Sequence, residues 1–134
     1  MEEKMEASLK ASLDNTLKRL RMPAALREYS SIASQALQQK CSYEQYLLNV
    51  SKRELDQRTS NRIKHLLKQA KFPKVKTLSD FDFSKIEIQQ EAILQICSGN
   101  FLSDAENIIF FGSSGSGKTH LATAIGRELC LKGR

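Results

Sequence analysis

The chain of 134 residues has no tryptophan, two prolines and three cysteines. No apolar run approaches the ~20 residues needed to span a membrane, which argues against a membrane protein. The opening Met1-Glu2-Glu3-Lys4-Met5-Glu6 is acidic and without an apolar core, which argues against a secretory signal. Cys41, Cys97 and Cys130 are odd in number, far apart and never in a C-x-x-C pattern. That usage fits reduced thiols in a cytoplasmic protein and disfavours a disulfide scaffold or a zinc site. Internal repeats and low-complexity segments are also missing. What remains, with 40% hydrophobic and 27% charged residues, is ordinary globular composition, long enough for one domain or two small ones.

Positive charge is in excess, and it is concentrated. Of a formal net charge of +6, residues 52–76 alone carry nine Lys/Arg against Glu54 and Asp56, a net of +7. Lys52, Arg53, Arg58, Arg62, Lys64 and Lys68, followed by Lys71, Lys74 and Lys76, have two readings. One is the solvated face that most charged helices present. The other is a surface for the phosphate backbone of DNA, where clustered Lys/Arg supplies sequence-independent affinity. Neither aromatic interleaving for base stacking nor a zinc-finger pattern accompanies the stretch.

The most specific signal lies further on. Gly112-Ser113-Ser114-Gly115-Ser116-Gly117-Lys118-Thr119 is a complete G-x-x-x-x-G-K-[ST] loop, and a chance match in a chain this long is expected well under ~1% of the time. A nucleotide triphosphate is met best by backbone N–H groups converging from a tight turn and a helix N-terminus. Glycines allow that turn and the close approach of backbone to phosphate. Lys118 is spaced to reach the β- and γ-phosphates, and the Thr119 hydroxyl to ligate the Mg²⁺ that bridges them. The apolar run Asn107-Ile108-Ile109-Phe110-Phe111 predicts a strand buried on both faces. Leu121, Ala122, Ile125 and Leu129 predict an amphipathic helix from Lys118 to Leu131. His120, in the first turn of that helix, reads as a packing or orienting residue, not a catalytic one. Gly126 sits in mid-helix, where close packing on a sheet would explain it.

Ahead of the loop the chain reads as helical. Leu9, Leu13, Leu17 and Leu20 step along one helix face. Pro23 opens a second helix with Leu26, Tyr29, Ala33 and Leu37 as its buried stripe. Ser42 and Gln45 form a capping box for a third, whose stripe runs through Tyr43, Tyr46, Leu47, Val50, Leu55, Ile63, Leu66 and Leu67 until Pro73 ends it. A connector follows, with an ordered turn at Ser79-Asp80-Phe81-Asp82-Phe83. Ile88, Ala92, Ile93 and Ile96 then mark a short helix, stopped by Gly99. The expected fold class is therefore α/β: an N-terminal all-α helical bundle followed by the first strand–loop–helix unit of a P-loop NTPase domain.

With these residues laid out, the chain resembles the IstB-like ATP-binding proteins, transposition helpers related to the DnaC helicase loader in the AAA+ class. Leu17-Lys18-Arg19-Leu20-Arg21-Met22-Pro23 is similar to the family's opening helix–break–helix. Lys76-Thr77-Leu78-Ser79-Asp80-Phe81-Asp82-Phe83 is similar to its connector, and Glu106 through Ala122 to its strand, loop and helix. The resemblance implies residues 1–71 as a basic, helical domain for DNA or partner binding, 72–106 as a connector, and 107–134 as the start of the AAA+ domain. It implies ATP and Mg²⁺ as cofactors, assembly into homo-oligomers on DNA, and a transposase or replicative helicase as partner. It also brings Phe81 and Phe83 near the adenine, with core packing as the alternative. The family's Walker B acids, sensor residue and acting arginine have no counterpart in these 134 residues, so the expectation is an AAA+ protein truncated after its first helix and unable to hydrolyse ATP alone. Two further readings stay open: a non-enzymatic DNA-binding fragment with a vestigial loop, and a piece of a P-loop small-molecule kinase or transporter ATPase.

Overall fold

The computed structural model describes residues 2–134. They form two compact units, one running to Ser60 and the other Asn61–Arg134.

The first unit holds three helices: α1 (Glu2–Arg19), α2 (Pro23–Gln39) and the opening of α3 (Tyr43–Ala70). Local chemistry sets each boundary. Pro23 begins α2, where its missing N–H is no loss. The N–H of Met22 bonds the carbonyl of Leu17 and that of Arg21 the carbonyl of Lys18, the double bond of a Schellman helix end. Cys41 and Lys40 repeat it on Ala36 and Leu37. Glycine is the usual residue at the left-handed position of this motif, yet here it is filled by Arg21 and Lys40, at φ 54° and 52°. Ser42 Oγ accepts from Gln45 N–H at 3.2 Å, so half of the expected capping box forms, while the Gln45 amide turns to Asn49.

Leu17, Ala25, Ile32 and Val50 are the buried core of this unit, with Met22, Leu26, Tyr29 and Tyr46 packed around them. The predicted stripes are longer than the core. Leu9, Leu20, Leu37, Tyr43, Leu47 and Leu55 are all exposed, so only part of each apolar stripe reaches the core. Leu9 and Leu13 line an open groove with Tyr29, Ala33 and Tyr46. The Tyr29 hydroxyl crosses to Asp14 Oδ1 at 2.8 Å, tying α2 to α1.

One contact was not visible in the pattern of the sequence. Glu54, on α3 and only 4% exposed, places Oε2 2.8 Å from Ala24 N and 3.2 Å from Ala25 N. These are orphan donors of the first turn of α2, capped here by a carboxylate thirty residues away. Arg58 grips the other carboxylate oxygen at 3.1 Å and donates to the Arg21 carbonyl at 3.0 Å. Burial pushes the Glu54 carboxyl up, but the bonds from Ala25 N–H, Arg58 and Ala24 N–H outweigh it and hold it below the ordinary value.

In the second unit, a 3-10 turn (Phe83–Lys85), α4 (Gln90–Ile96), α5 (Asn100–Ser103) and α6 (Lys118–Leu131) surround a core of Ile93, Cys97, Leu121, Ile125 and Leu129. The stripe expected on α6 is buried as predicted, except that Ala124 is fully covered and Ala122 only partly. Gly126 is explained by an aromatic ring and not by a sheet: a Cβ there would lie 3.1 Å from two atoms of the Phe72 ring.

The strand expected over 107–111 is not formed. Among the described residues there is no strand at all, so of the α/β expectation the structure shows the helical part and not the strand of the strand–loop–helix unit. The reason is physical: a strand is completed by ladder hydrogen bonds to a neighbour, and none of the described backbone bonds reaches 107–111. Ile109 and Phe111 are 74% and 91% exposed.

Candidate nucleotide-binding site

The glycine loop runs into α6, and its backbone meets the demands of the motif. Gly117, the residue before the helix, takes φ 92°, a left-handed conformation that a side chain would strain. Gly115 does the same at φ 78°, with open space where a Cβ would be. Ser116 N bonds Ser113 O at 3.3 Å and closes the turn. The N-terminus of α6 has neither a side-chain cap nor an acidic residue in its first turn. Its unmatched N–H groups and the positive end of its dipole thus remain available to an anion. An open cleft of about 610 Å³ is lined by Ser114 through His120.

Lys118 folds back over this loop. Its ammonium donates to Gly112 O at 2.7 Å, to Ser113 O, and to Ser116 Oγ at 3.3 Å. Thr119 is exposed on the adjacent position of the helix. The donor set is therefore a cation, a hydroxyl and a row of backbone N–H groups, with no carboxylate to repel phosphate. It fits a nucleotide triphosphate with its Mg²⁺, and all eight residues from Gly112 to Thr119 fall within one turn and the helix start.

The connector lies against the same place. The Thr77 hydroxyl donates to Asp80 Oδ2 at 2.6 Å and accepts from Asp80 N at 3.3 Å. That hydroxyl, above all, holds the Asp80 carboxyl below its usual range. Asp82 caps the 3-10 turn through Ser84 N at 3.1 Å, and its carboxyl is lowered by the Ser84 hydroxyl and N–H. Phe81 and Phe83 meet edge to face with centroids 5.0 Å apart, and both pack on the core of the unit. Core packing thus accounts for one side of each ring, and Phe81 also touches the loop, since a Cβ on Gly117 would lie 3.0 Å from its ring. His120 Nε2 sits 3.1 Å from the Thr77 carbonyl. The ordered turn was expected over Ser79–Phe83; the bond of Thr77 to Asp80 extends it. The Thr-x-x-Asp spacing is a local signal that could have shown this, whereas the link to His120, forty-three residues on, had no signal in the sequence.

The six basic candidates on α3 separate into two groups. Arg58 is held by Glu54 and the Arg21 carbonyl, and Arg53 pairs with Glu28 at 3.3 Å. Both therefore have structural partners within their own unit. Lys52, Arg62, Lys64 and Lys68 are exposed and, among the described residues, have no ion-pair partner. No helix among the described residues is long and apolar enough to cross a membrane, and no cluster of His, Cys, Asp and Glu among them could hold a metal on its own.

A glycine loop feeding an uncapped helix that begins Lys-Thr has the form of a phosphate-loop nucleotide-binding protein. The comparison with known proteins is more particular: this chain belongs to the family of IstB-like ATP binding proteins, which it matches over residues 15–134. It is 33% identical over 86% of its length to a protein of Geobacillus stearothermophilus named as an ATP-binding protein of insertion sequence IS5376. Similar proteins named for IS232 in Bacillus thuringiensis and for IS21 in Pseudomonas aeruginosa are each 34% identical over 85% of the chain. The chain spans 46%, 46% and 43% of those three relatives.

Proposed function

We propose that this chain binds ATP with Mg²⁺ through Gly112–Thr119 and belongs to the accessory machinery of an insertion sequence, acting with a transposase on DNA. The observation that carries the reading is the uncapped start of α6, with Lys118 and Thr119 on its first turn behind the glycine loop. Lys118 exchanges its loop acceptors for β- and γ-phosphate oxygens. The N–H groups at the helix start face the same phosphates. Thr119 supplies a hydroxyl ligand to Mg²⁺, which when bound neutralises charge between the phosphates. Residues 107–111 become the first strand of the AAA+ core once neighbouring strands pair with them. Relatives named for insertion sequences favour the transposition role over helicase loading. Hydrolysis, homo-oligomeric assembly, and the transposase and DNA partners of the whole protein are part of this proposal. Titration with a fluorescent ATP analogue in the presence of Mg²⁺, competed by unlabelled ATP, tests it; absence of saturable, competable binding removes the site.

DNA contact is assigned to the exposed part of the basic helix. The logarithm of the binding constant is expected to fall linearly with the logarithm of salt, with slope near −0.9 per phosphate contacted on duplex DNA. Changing Arg62, Lys64 and Lys68 together to Gln should make the slope shallower by about 2 to 3. Arg58→Gln should instead act on folding, through Glu54 and Arg21. A triple variant with the affinity and slope of the parent would return these residues to an ordinary solvated face.

A further inference from the structure

The geometry points to His120 as a positioning residue, whose ring holds the connector segment Thr77–Phe83 against the phosphate loop so that nucleotide in the loop and order in the connector reinforce each other. This rests on the nucleotide-binding reading above and adds a coupled element to it.

His120 makes two contacts with the connector. Its Nε2 lies 3.1 Å from the Thr77 carbonyl; a carbonyl only accepts, so Nε2 carries the proton. Its ring meets Phe81 edge to face, centroids 5.2 Å apart and planes at 87°, the arrangement aromatic pairs prefer. Phe81 in turn presses on Gly117, the residue from which α6 starts. One aromatic side chain of the connector thus touches two residues of the helix start, and those residues flank Lys118 and Thr119.

The connector is braced to respond as a piece. Asp80 N bonds the Thr77 hydroxyl at 3.3 Å, that hydroxyl bonds the Asp80 carboxylate, and Phe81 N bonds Leu78 O at 3.2 Å. A ligand that fixes the start of α6 therefore fixes His120 and Gly117, and through them Thr77 and Phe81. Coupling of this kind is reciprocal: order in the connector raises nucleotide affinity by the same factor. His120 makes no contact with phosphate in this scheme, which separates it from Lys118.

The test uses the 134-residue chain, a fluorescent ATP analogue with Mg²⁺, and amide hydrogen exchange with and without nucleotide. His120→Ala should bind about tenfold more weakly, the loss of one hydrogen bond and one ring contact. His120→Gln should come within about threefold of the parent, because its amide nitrogen can reach the Thr77 carbonyl. Nucleotide should slow exchange at the amides of Asp80 and Phe81 in the parent and in His120→Gln, and leave them unaffected in His120→Ala. Far-UV circular dichroism should be the same for all three. Unchanged affinity in His120→Ala, or equal protection of the two amides in that variant, overturns the coupling while leaving the nucleotide site intact. Equal losses in the Ala and Gln variants, or loss of helix content, mark ordinary packing and overturn it too. If the parent itself shows no saturable binding, the nucleotide site falls, and this inference with it.

Discussion

Lys118→Ala is expected to weaken Mg-ATP binding by about ten- to a hundredfold, the scale of one hydrogen bond to a charged group, with helix content unchanged. The side chain is a single cation among backbone donors, so no other residue of the loop can replace its charge. In the structure its ammonium is already bonded to three loop oxygens. Phosphate must compete with those oxygens, and it succeeds because an anion is a stronger acceptor for ammonium than a neutral carbonyl. The variant loses both partners, and the loop carbonyls turn to water at little cost because the residues that bear them are exposed. Lys118→Arg should not restore affinity fully, since a planar guanidinium does not fill the place of a compact ammonium. Titration of both variants with the fluorescent analogue reads the effect directly. Parent-like affinity in Lys118→Ala would take the loop out of the mechanism.

The second large effect is on folding. Glu54→Ala is expected to destabilise the helical unit by about 2 kcal/mol, the upper range for a lost helix cap, and to lower its melting temperature by roughly 10 °C for a unit of this size. It strips the acceptor from Ala24 and Ala25 N–H and leaves Arg58 with one partner. The pH dependence follows from the lowered carboxyl. The unfolded chain binds the proton more tightly than the folded one, so stability rises with pH across that window. The contribution is fully present above the unfolded glutamate value of about 4.3 and is lost as pH falls through the lower folded value. Thermal melts of parent and Glu54→Gln between pH 7 and pH 3 should therefore converge as the medium becomes acidic. A constant gap between the two curves would show that the charge of Glu54 has no part in the cap.

Local and periodic features were legible in the sequence. Pro23 at a helix start, Ser42 as a cap, the ordered turn around Asp80 and the stripe of Leu121, Ile125 and Leu129 each depend on residues within a few positions of one another. The phosphate loop was legible for the same reason, its eight residues being one local structure. Two kinds of feature were not. Glu54 with Ala24 and His120 with Thr77 join residues thirty and more apart, and no periodicity encodes such pairings. The strand over 107–111 is not formed in this structure because apolar, β-prone composition states what a segment fits, not whether a neighbour is there to pair with it. Likewise the stripe of α1 over-predicted burial: Leu9 and Leu13 face α2 across an open groove with Tyr29 and Ala33 and stay exposed.

The left-handed helix ends at Arg21, Lys40 and Lys71, none of them glycine, have a consequence for where conformational freedom is lost. All six glycines fall at Gly99 or later, so the first ninety-eight residues turn corners without one. Glycine is the residue that surrenders most backbone freedom on folding, and the unfolded chain therefore keeps its largest reserve of conformational entropy around the phosphate loop. The helical unit has stiff joints that were costly to bend and stay bent. The loop, by contrast, gives up the most freedom when the chain takes its folded form.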